Sequence, residues 1–337
     1  MKKVLLGTAA TAAFILAAWA SSDAQEKMTL KVATFTPAGT FIVERLFKPF
    51  LDKVVAESEG TLDYKIFSGG TLGRNPAEQL SLVQNGIADI AYVVPSYMPG
   101  VYDAYNVSQL PLVTDNSEQT AAGMWNAYEK GLLPSPEGVK LLGVFANGQN
   151  GLHLVEAADS ASDVNGRKIR VGGQIQMSTI EALGAIPVGN IGAPSVAESI
   201  SRGVVEGSFM DWGAIQSYRV DRTTSYHIDF PFGTLPVMIP ISQETWEKLS
   251  VPAKAAFEKY GGRTFSIEMG RMFDQYGKEA RAEVAARGGH TVIELTEGER
   301  EKLQALVRNV VLDWTAAADG RQAILDAYRE GASGITE

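Results

Sequence analysis

The stretch Asn165–Asp211, NGRKIRVGGQIQMSTIEALGAIPVGNIGAPSVAESISRGVVEGSFMD, decides how the whole chain is read. Arg170 lies inside Lys168-Ile169-Arg170-Val171, a short β-type run bounded by Asn165-Gly166 and Gly172-Gly173. A helix pattern follows over Met177–Leu183, then a second apolar run at Ile186–Val188, then a helix from Ser195 to about Arg202. This alternation of strand and helix predicts an α/β fold, in which binding concentrates where strand ends, loops and helix N-termini converge. A guanidinium at a strand end, beside glycines that leave room, can fork onto a carboxylate through two parallel hydrogen bonds. The blander reading of Arg170 is a solvated or salt-bridged strand residue.

Working outward, the chain has 337 residues, of which 45% are hydrophobic and 20% charged, enough for one large or two medium globular domains. A formal net charge of -9 and the lack of clustered Lys and Arg argue against nucleic acid as a partner. Lys2-Lys3 followed by the apolar run Val4–Trp19 predicts a secretory signal peptide over residues 1–24. Small-x-small cleavage options lie at Ala18-Trp19-Ala20 and Ser22-Asp23-Ala24. The run is short for a membrane span. With no cysteine anywhere, neither a lipoprotein anchor nor a disulfide framework is available. The expectation is an exported, acidic protein of the periplasm, which must bind any anion through a local site and not through its overall field.

The mature chain should open β-α-β-α-β. The strands expected are Thr29–Phe35, Leu62–Phe67 and Ile87–Val94, with one helix from about Thr40, bent at Pro49, and another capped by Asn75 with Pro76 in its first turn. The loop Ser68–Arg74 has neither a Walker lysine nor dinucleotide-type glycine spacing, so it reads as a turn. Residues 95–138 read as loop-rich, with Tyr97, Tyr102, Tyr105, Trp125 and Tyr128 either lining a pocket or packing the loops down. Leu141–Ala146 is a strand, and Asn147–Gly151 looks like a crossing between two lobes. A long helical pattern over Val251–Ala286 is interrupted at Gly261-Gly262. The last expected elements are a short strand at Val292–Leu295 and a helix from Thr296 to about Ala316. No internal repeat is visible.

Several pieces, taken in order, carry a resemblance to a known family: Phe67–Gly73, Leu82–Ile90, Leu110-Pro111-Leu112, Gly166–Val171, Leu183–Val188 and Arg202–Gly207. The chain resembles the solute-binding proteins of tripartite ATP-independent periplasmic (TRAP) transporters, the DctP-like group, over nearly everything after the leader. The resemblance implies a two-lobed periplasmic binding protein fold of type II-like α/β architecture, with mixed sheets flanked by helices, a hinge and a central ligand cleft. The lobes would comprise residues 28–149 with about 235–275, and 150–234 with about 276–337. It also implies that Arg170 pairs with the ligand carboxylate, that the small and large TRAP permease subunits are the membrane partners, and that the protein is a monomer.

The departures from the family pattern bear on the ligand. Met210 stands where an asparagine contacts ligand in the family, Asp211 replaces a proline, and Trp212 matches the tryptophan of one branch. Leu152-His153 occupies the place where members often carry a second arginine, which argues against a C4-dicarboxylate. Phe209, Met210 and Trp212 instead suggest a monocarboxylate, a small organic acid with an apolar or aromatic body. Phe35, Tyr97 and Asn150, at strand ends or the lobe crossing, are the further expected contacts. No metal or cofactor is required for such binding.

Two other classes compete. A secreted enzyme would need a recognisable nucleophile, acid–base pair or metal motif. The three histidines, His153, His227 and His290, are widely separated and fit none. A two-lobed binding protein serving an ATP-driven importer or a membrane sensor has the same composition, and only the family pieces separate it from a TRAP receptor.

Overall fold

Two mixed β-sheets organise the chain in a computed structural model, which describes residues 27–335 apart from Asp159. The leader expected over residues 1–24 lies outside the described residues. The strands are β1 (Met28–Ala33), β2 (Leu62–Phe67), β3 (Ile90–Ala91), β4 (Val139–Ala146), β5 (Asn150–Leu154), β6 (Lys168–Arg170), β7 (Ile186–Val188), β8 (Gly207–Asp211), β9 (Tyr226–Asp229), β10 (Pro236–Ser242) and β11 (Thr291–Ile293). The first sheet runs β2-β1-β3-β10-β4 and the second β7-β6-β8-β5-β9-β11. Helices and their apolar side chains cover both faces of each sheet, so each lobe has its own core.

Each sheet has one strand running against the rest. In the first it is β10, antiparallel to β3 and β4; in the second it is β5, antiparallel to β8 and β9. Both strands immediately follow a passage of the chain from one lobe to the other: β4 leads to β5, and β9 leads back to β10. A strand entering from the neighbouring lobe arrives at the cleft end of the sheet, so it runs opposite to strands that end there. The first five strands of the second sheet thus repeat the order of the first, a symmetry of topology that leaves no repeat in the sequence.

The passage at residues 147–150 is tied to the return passage by short-range polar contacts. Asn150 N donates to Gly233 O at 3.0 Å, Asn147 N to Leu235 O at 3.0 Å, and Thr234 Oγ1 to Asn147 O at 2.8 Å. The long helix Gly262–Ala285 packs on β4 and on the Ser117–Glu129 helix of the first lobe, and also on the Trp212–Ser217 helix of the second. It therefore spans the two lobes. Its predecessor Val251–Tyr260 ends at Gly261, where the sequence pattern is interrupted.

Several elements differ from their sequence expectation. The strand expected at Ile87–Val94 is only Ile90–Ala91 with a bridge from Val93 to Met238, because the Asp89 carboxylate takes the Lys31 N–H at 2.7 Å in place of a ladder carbonyl. The irregularity expected at Pro49 takes the form of a π-helical segment over Ile42–Phe47 that passes without a break into the α-helix Lys48–Glu57, and this wider turn accommodates the proline's ring and missing N–H. Within the expected loop region lies the helix Ser117–Glu129, capped by Asn116, whose side chain accepts from Gln119 N at 2.8 Å.

A last helix, Arg321–Ser333, follows the expected Glu297–Ala316 helix and packs back on Ser117–Glu129 of the first lobe, not on the second lobe as the expected division at 276–337 has it. Glycines permit this crossing. A Cβ at Gly123 would lie 2.5 Å from Tyr328 O, and one at Gly331 would lie 2.6 Å from Ala122 O.

Candidate functional site

Arg170 is the last residue of β6, a three-residue strand held between β7 and β8, and its side chain is 1% exposed. Its Nε donates to Ile191 O at 2.9 Å, and one terminal nitrogen lies 3.4 Å from Tyr97 Oη. Among the described residues no carboxylate pairs with it. The chain thus fixes the guanidinium through its own lobe's main chain and a phenol of the other lobe, and leaves the charge without a counter-ion. Burying an unpaired charge costs several kcal/mol, so the arrangement is one that an incoming anion would relieve.

The guanidinium lines a cavity between the lobes that is partly open, with an empty volume of ≈ 590 Å³ that includes open solvent. The first lobe contributes Phe35, Phe41, Tyr92 and Tyr97, the second Phe209, Met210 and Tyr218, and the lobe-spanning helix Phe273 and Tyr276. Phe35 meets Tyr92 at a centroid distance of 5.8 Å and Tyr97 edge-on at 6.2 Å. Tyr92 donates its hydroxyl to Asn147 Oδ1, and burial pushes its phenol well above the ordinary range, as it does for Tyr218. The cavity is therefore aromatic, with neutral phenols. Its charged lining residues are Arg170 and Asp211.

Asp211 ends β8, directly opposite Asn150 on β5. Its Oδ1 accepts the Ala214 N–H at 2.8 Å, capping the Trp212–Ser217 helix. Burial pushes its carboxyl up to about 6, against the opposing effect of the Ala214, Asp211 and Gly213 N–H groups.

Of the residues expected from sequence, Phe35, Tyr97, Asn150, Arg170, Phe209 and Met210 line the cavity together. Asn150 is partly committed, because its Nδ2 donates to Gly233 O at 2.6 Å. Trp212 is a correction. It stands one residue past β8, outside the cavity lining, with its ring on His153 and His227 at 4.9 and 5.0 Å and its Nε1–H donated to Asp229. The chain turns into a helix after Asp211, and the indole lines a neighbouring cleft that shares Asn150, Asp211 and Phe273 with the cavity. Sequence reasoning passed over Asp211, Tyr92, Tyr218, Phe41 and Tyr276. Asp211 carried the signal that singled out Arg170, a charge at the end of an apolar run; the aromatic residues carried none.

The three histidines, far apart in sequence, form one chain of hydrogen bonds beneath the cavity wall. His153 Nε2 lies 3.1 Å from Met210 O, His153 Nδ1 is 2.9 Å from His227 Nδ1, and His227 Nε2 is 3.1 Å from His290 Nδ1. A carbonyl only accepts, so His153 Nε2 carries hydrogen. That leaves His153 Nδ1 as acceptor, His227 Nδ1 as donor and His290 Nδ1 as donor to His227 Nε2. The set fits neutral rings at His153 and His227 and no catalytic dyad.

Residues 32–317 match the family model of DctP, bacterial extracellular solute-binding protein, family 7. The chain belongs to this family. Members of the DctP family are periplasmic solute receptors, not enzymes; they bind small organic acids and work with membrane permease components. Among the described residues no helix is long and apolar enough to cross a membrane.

Among DctP relatives, the chain is 24% identical over 335 residues to the outer membrane transporter protein TsaT of Comamonas testosteroni, covering 96% of this chain and 97% of the relative. It is similar to a marine metagenome TRAP solute-binding protein specific for aromatic acid ligands, solved with metahydroxyphenylacetate, at 25% identity and a TM-score of 0.87. That match covers 92% of this chain and all of the other. A TRAP solute-binding protein of Rhodoferax ferrireducens with copurified benzoate has the same fold, with a TM-score of 0.87 at 21% identity over 91% of this chain and 98% of the other.

Proposed function

We propose that this chain is the periplasmic receptor of a TRAP transporter for a monocarboxylate with an aromatic body, exported by the leader at residues 1–24 and working as a monomer. The observation that carries the reading is the buried, unpaired Arg170 guanidinium at one side of an aromatic cavity. A carboxylate would take the forked pair of hydrogen bonds there, and the ring would take the place of water against Phe35, Tyr92 and Tyr218. A single cationic lining residue, with Asp211 as the other charge, disfavours a dicarboxylate. The aromatic acid bound by the marine metagenome relative agrees with this choice.

Capture proceeds by closure. Arg170 comes from the second lobe and Tyr97 from the first, so a carboxylate on Arg170 draws the lobes together across the strand crossings at 147–150 and 233–235. The closed form then presents a surface spanning both lobes to the small and large permease subunits.

The test is a melting screen of the mature protein against aromatic monocarboxylates, C4-dicarboxylates, 2-oxo acids and sugar acids, repeated on Arg170→Ala. A ligand at a hundred times its Kd stabilises by about 2.7 kcal/mol, a readily measured shift. Shifts confined to aromatic monocarboxylates and lost in the variant support the reading. Shifts that persist in Arg170→Ala, or that follow dicarboxylates, overturn it.

A further inference from the structure

We propose that Asp211 is a second recognition point in the cavity, an acceptor that selects acids carrying a hydrogen-bond donor, a hydroxyl or an amine, on the body of the molecule. This deepens the preceding reading and rests on it. Asp211 is 6% exposed and lines the same cavity as Arg170. No side chain among the described residues donates to its carboxylate or forms an ion pair with it. Its one hydrogen bond of good geometry is the helix cap from Ala214 N, made by Oδ1.

Its neighbours among the described residues direct their hydrogen bonds elsewhere or make none to it. Asn150, its cross-strand neighbour, directs Nδ2 to Gly233 O. Tyr92 spends its hydroxyl hydrogen on Asn147. Gly148 packs against it closely, and a Cβ there would lie 3.0 Å from the Asp211 Cβ, so position 148 itself offers no side-chain donor. The carboxylate therefore keeps capacity to accept a further hydrogen bond from a bound molecule. Burial also raises its pKa.

Asp211 is also not the counter-ion of Arg170. Arg170 pairs with Ser208 across β6 and β8, and Asp211 is three residues further along β8. At the usual strand rise this sets the two about 10 Å apart along the strand. The two side chains therefore enter the cavity from different positions, so an acid whose carboxylate meets Arg170 can turn a donor on its body toward Asp211. The Arg170 fork is common to all acids, so it cannot choose among them. Asp211 can, because an acid without a donor leaves the carboxylate buried against an apolar ring.

The experiment measures Kd by calorimetry for ring-matched acids, with benzoate and phenylacetate as parents against their ring-hydroxylated and ring-aminated forms. Wild type is compared with Asp211→Asn and Asp211→Ser. Both variants keep an oxygen that can cap the Trp212–Ser217 helix, and Asn turns a donor toward the ligand. Wild type should favour at least one donor-bearing acid over its parent by about tenfold or more, the usual effect of a hydrogen bond to a charged group. Both variants should erase that preference, read within each variant as the ratio of the donor-bearing acid's Kd to that of its parent. Equal binding of parents and donor-bearing acids by wild type overturns this inference alone, as does a preference that survives in both variants. Failure of every acid in both series to bind overturns the reading of the site and this inference with it.

Discussion

His153 Nδ1 and His227 Nδ1 lie 2.9 Å apart in the buried heart of the second sheet, and only one of them can carry hydrogen. Protonating His153 would set its Nδ1–H against the His227 Nδ1–H or break the bond to Met210 O. Burial accordingly lowers His153 to about 4 and, with the neighbouring rings, His227 to about 2. An unfolded histidine titrates near 6.5. Between these values the unfolded chain binds more protons, so stability is lost as pH falls below 6.5 and the loss is complete for His153 near 4. His153 alone should contribute on the order of 3 kcal/mol to this loss. Denaturant titrations at pH 7.5 and 4.5 should show a smaller pH effect in His153→Gln than in wild type; superimposable profiles would refute the assignment.

Asp211 should act with the opposite sign. Its carboxyl titrates near 3.8 when unfolded and at about 6 when folded, because burial disfavours the charge. Across that window the folded state holds more protons, so the stability contributed by this site falls as pH rises from 3.8 to 6. Asp211→Asn removes the titration. Its stability relative to wild type should rise over the same window, to a plateau of about 3 kcal/mol above pH 6. A difference that does not vary with pH would show that the carboxyl is not held in this environment.

Gly172 guards the approach to Arg170. A Cβ there would lie 3.3 Å from both terminal guanidinium nitrogens and 3.1 Å from Leu235 Cδ1. Gly172→Ala should push the fork out of line and weaken binding of the cognate acid by about tenfold, the equivalent of about 1.4 kcal/mol. The melting temperature without ligand should barely change. Unchanged affinity would mean that the fork is not what holds the acid.

The docking of the last helix is testable without ligand. Gly123→Ala places a Cβ 2.5 Å from Tyr328 O, a backbone atom that cannot step aside without moving the Arg321–Ser333 helix. Overpacking of this kind costs about 1–3 kcal/mol. The variant should melt earlier and lose its C-terminal segment to limited proteolysis, while Kd for the acid stays at the wild-type value.

Much of the fold was legible because local patterns carry it. The run around Lys168–Val171, the proline and cap at Asn75-Pro76 and the interruption at Gly261-Gly262 each announce their element through backbone preference or side-chain period. The helix Ser117–Glu129 escaped because Ala121, Ala122 and Gly123 are small for packing reasons set by a partner two hundred residues away. Arg170 was legible as a charge within an apolar strand, and Asp211 showed the same mark.

The sequence by itself determined the family, the alternation of strands and helices and the one arginine suited to a carboxylate, since these rest on residue type and local order. Tertiary structure decided which residues meet. It placed Trp212 outside the cavity lining and against His153 and His227, brought three distant histidines into one hydrogen-bonded chain, and set Tyr92 and Tyr218 beside Arg170 and Asp211. The reason is physical: a strand's period says which side chains share a face, but strand order and the crossing between lobes decide which face meets the cavity.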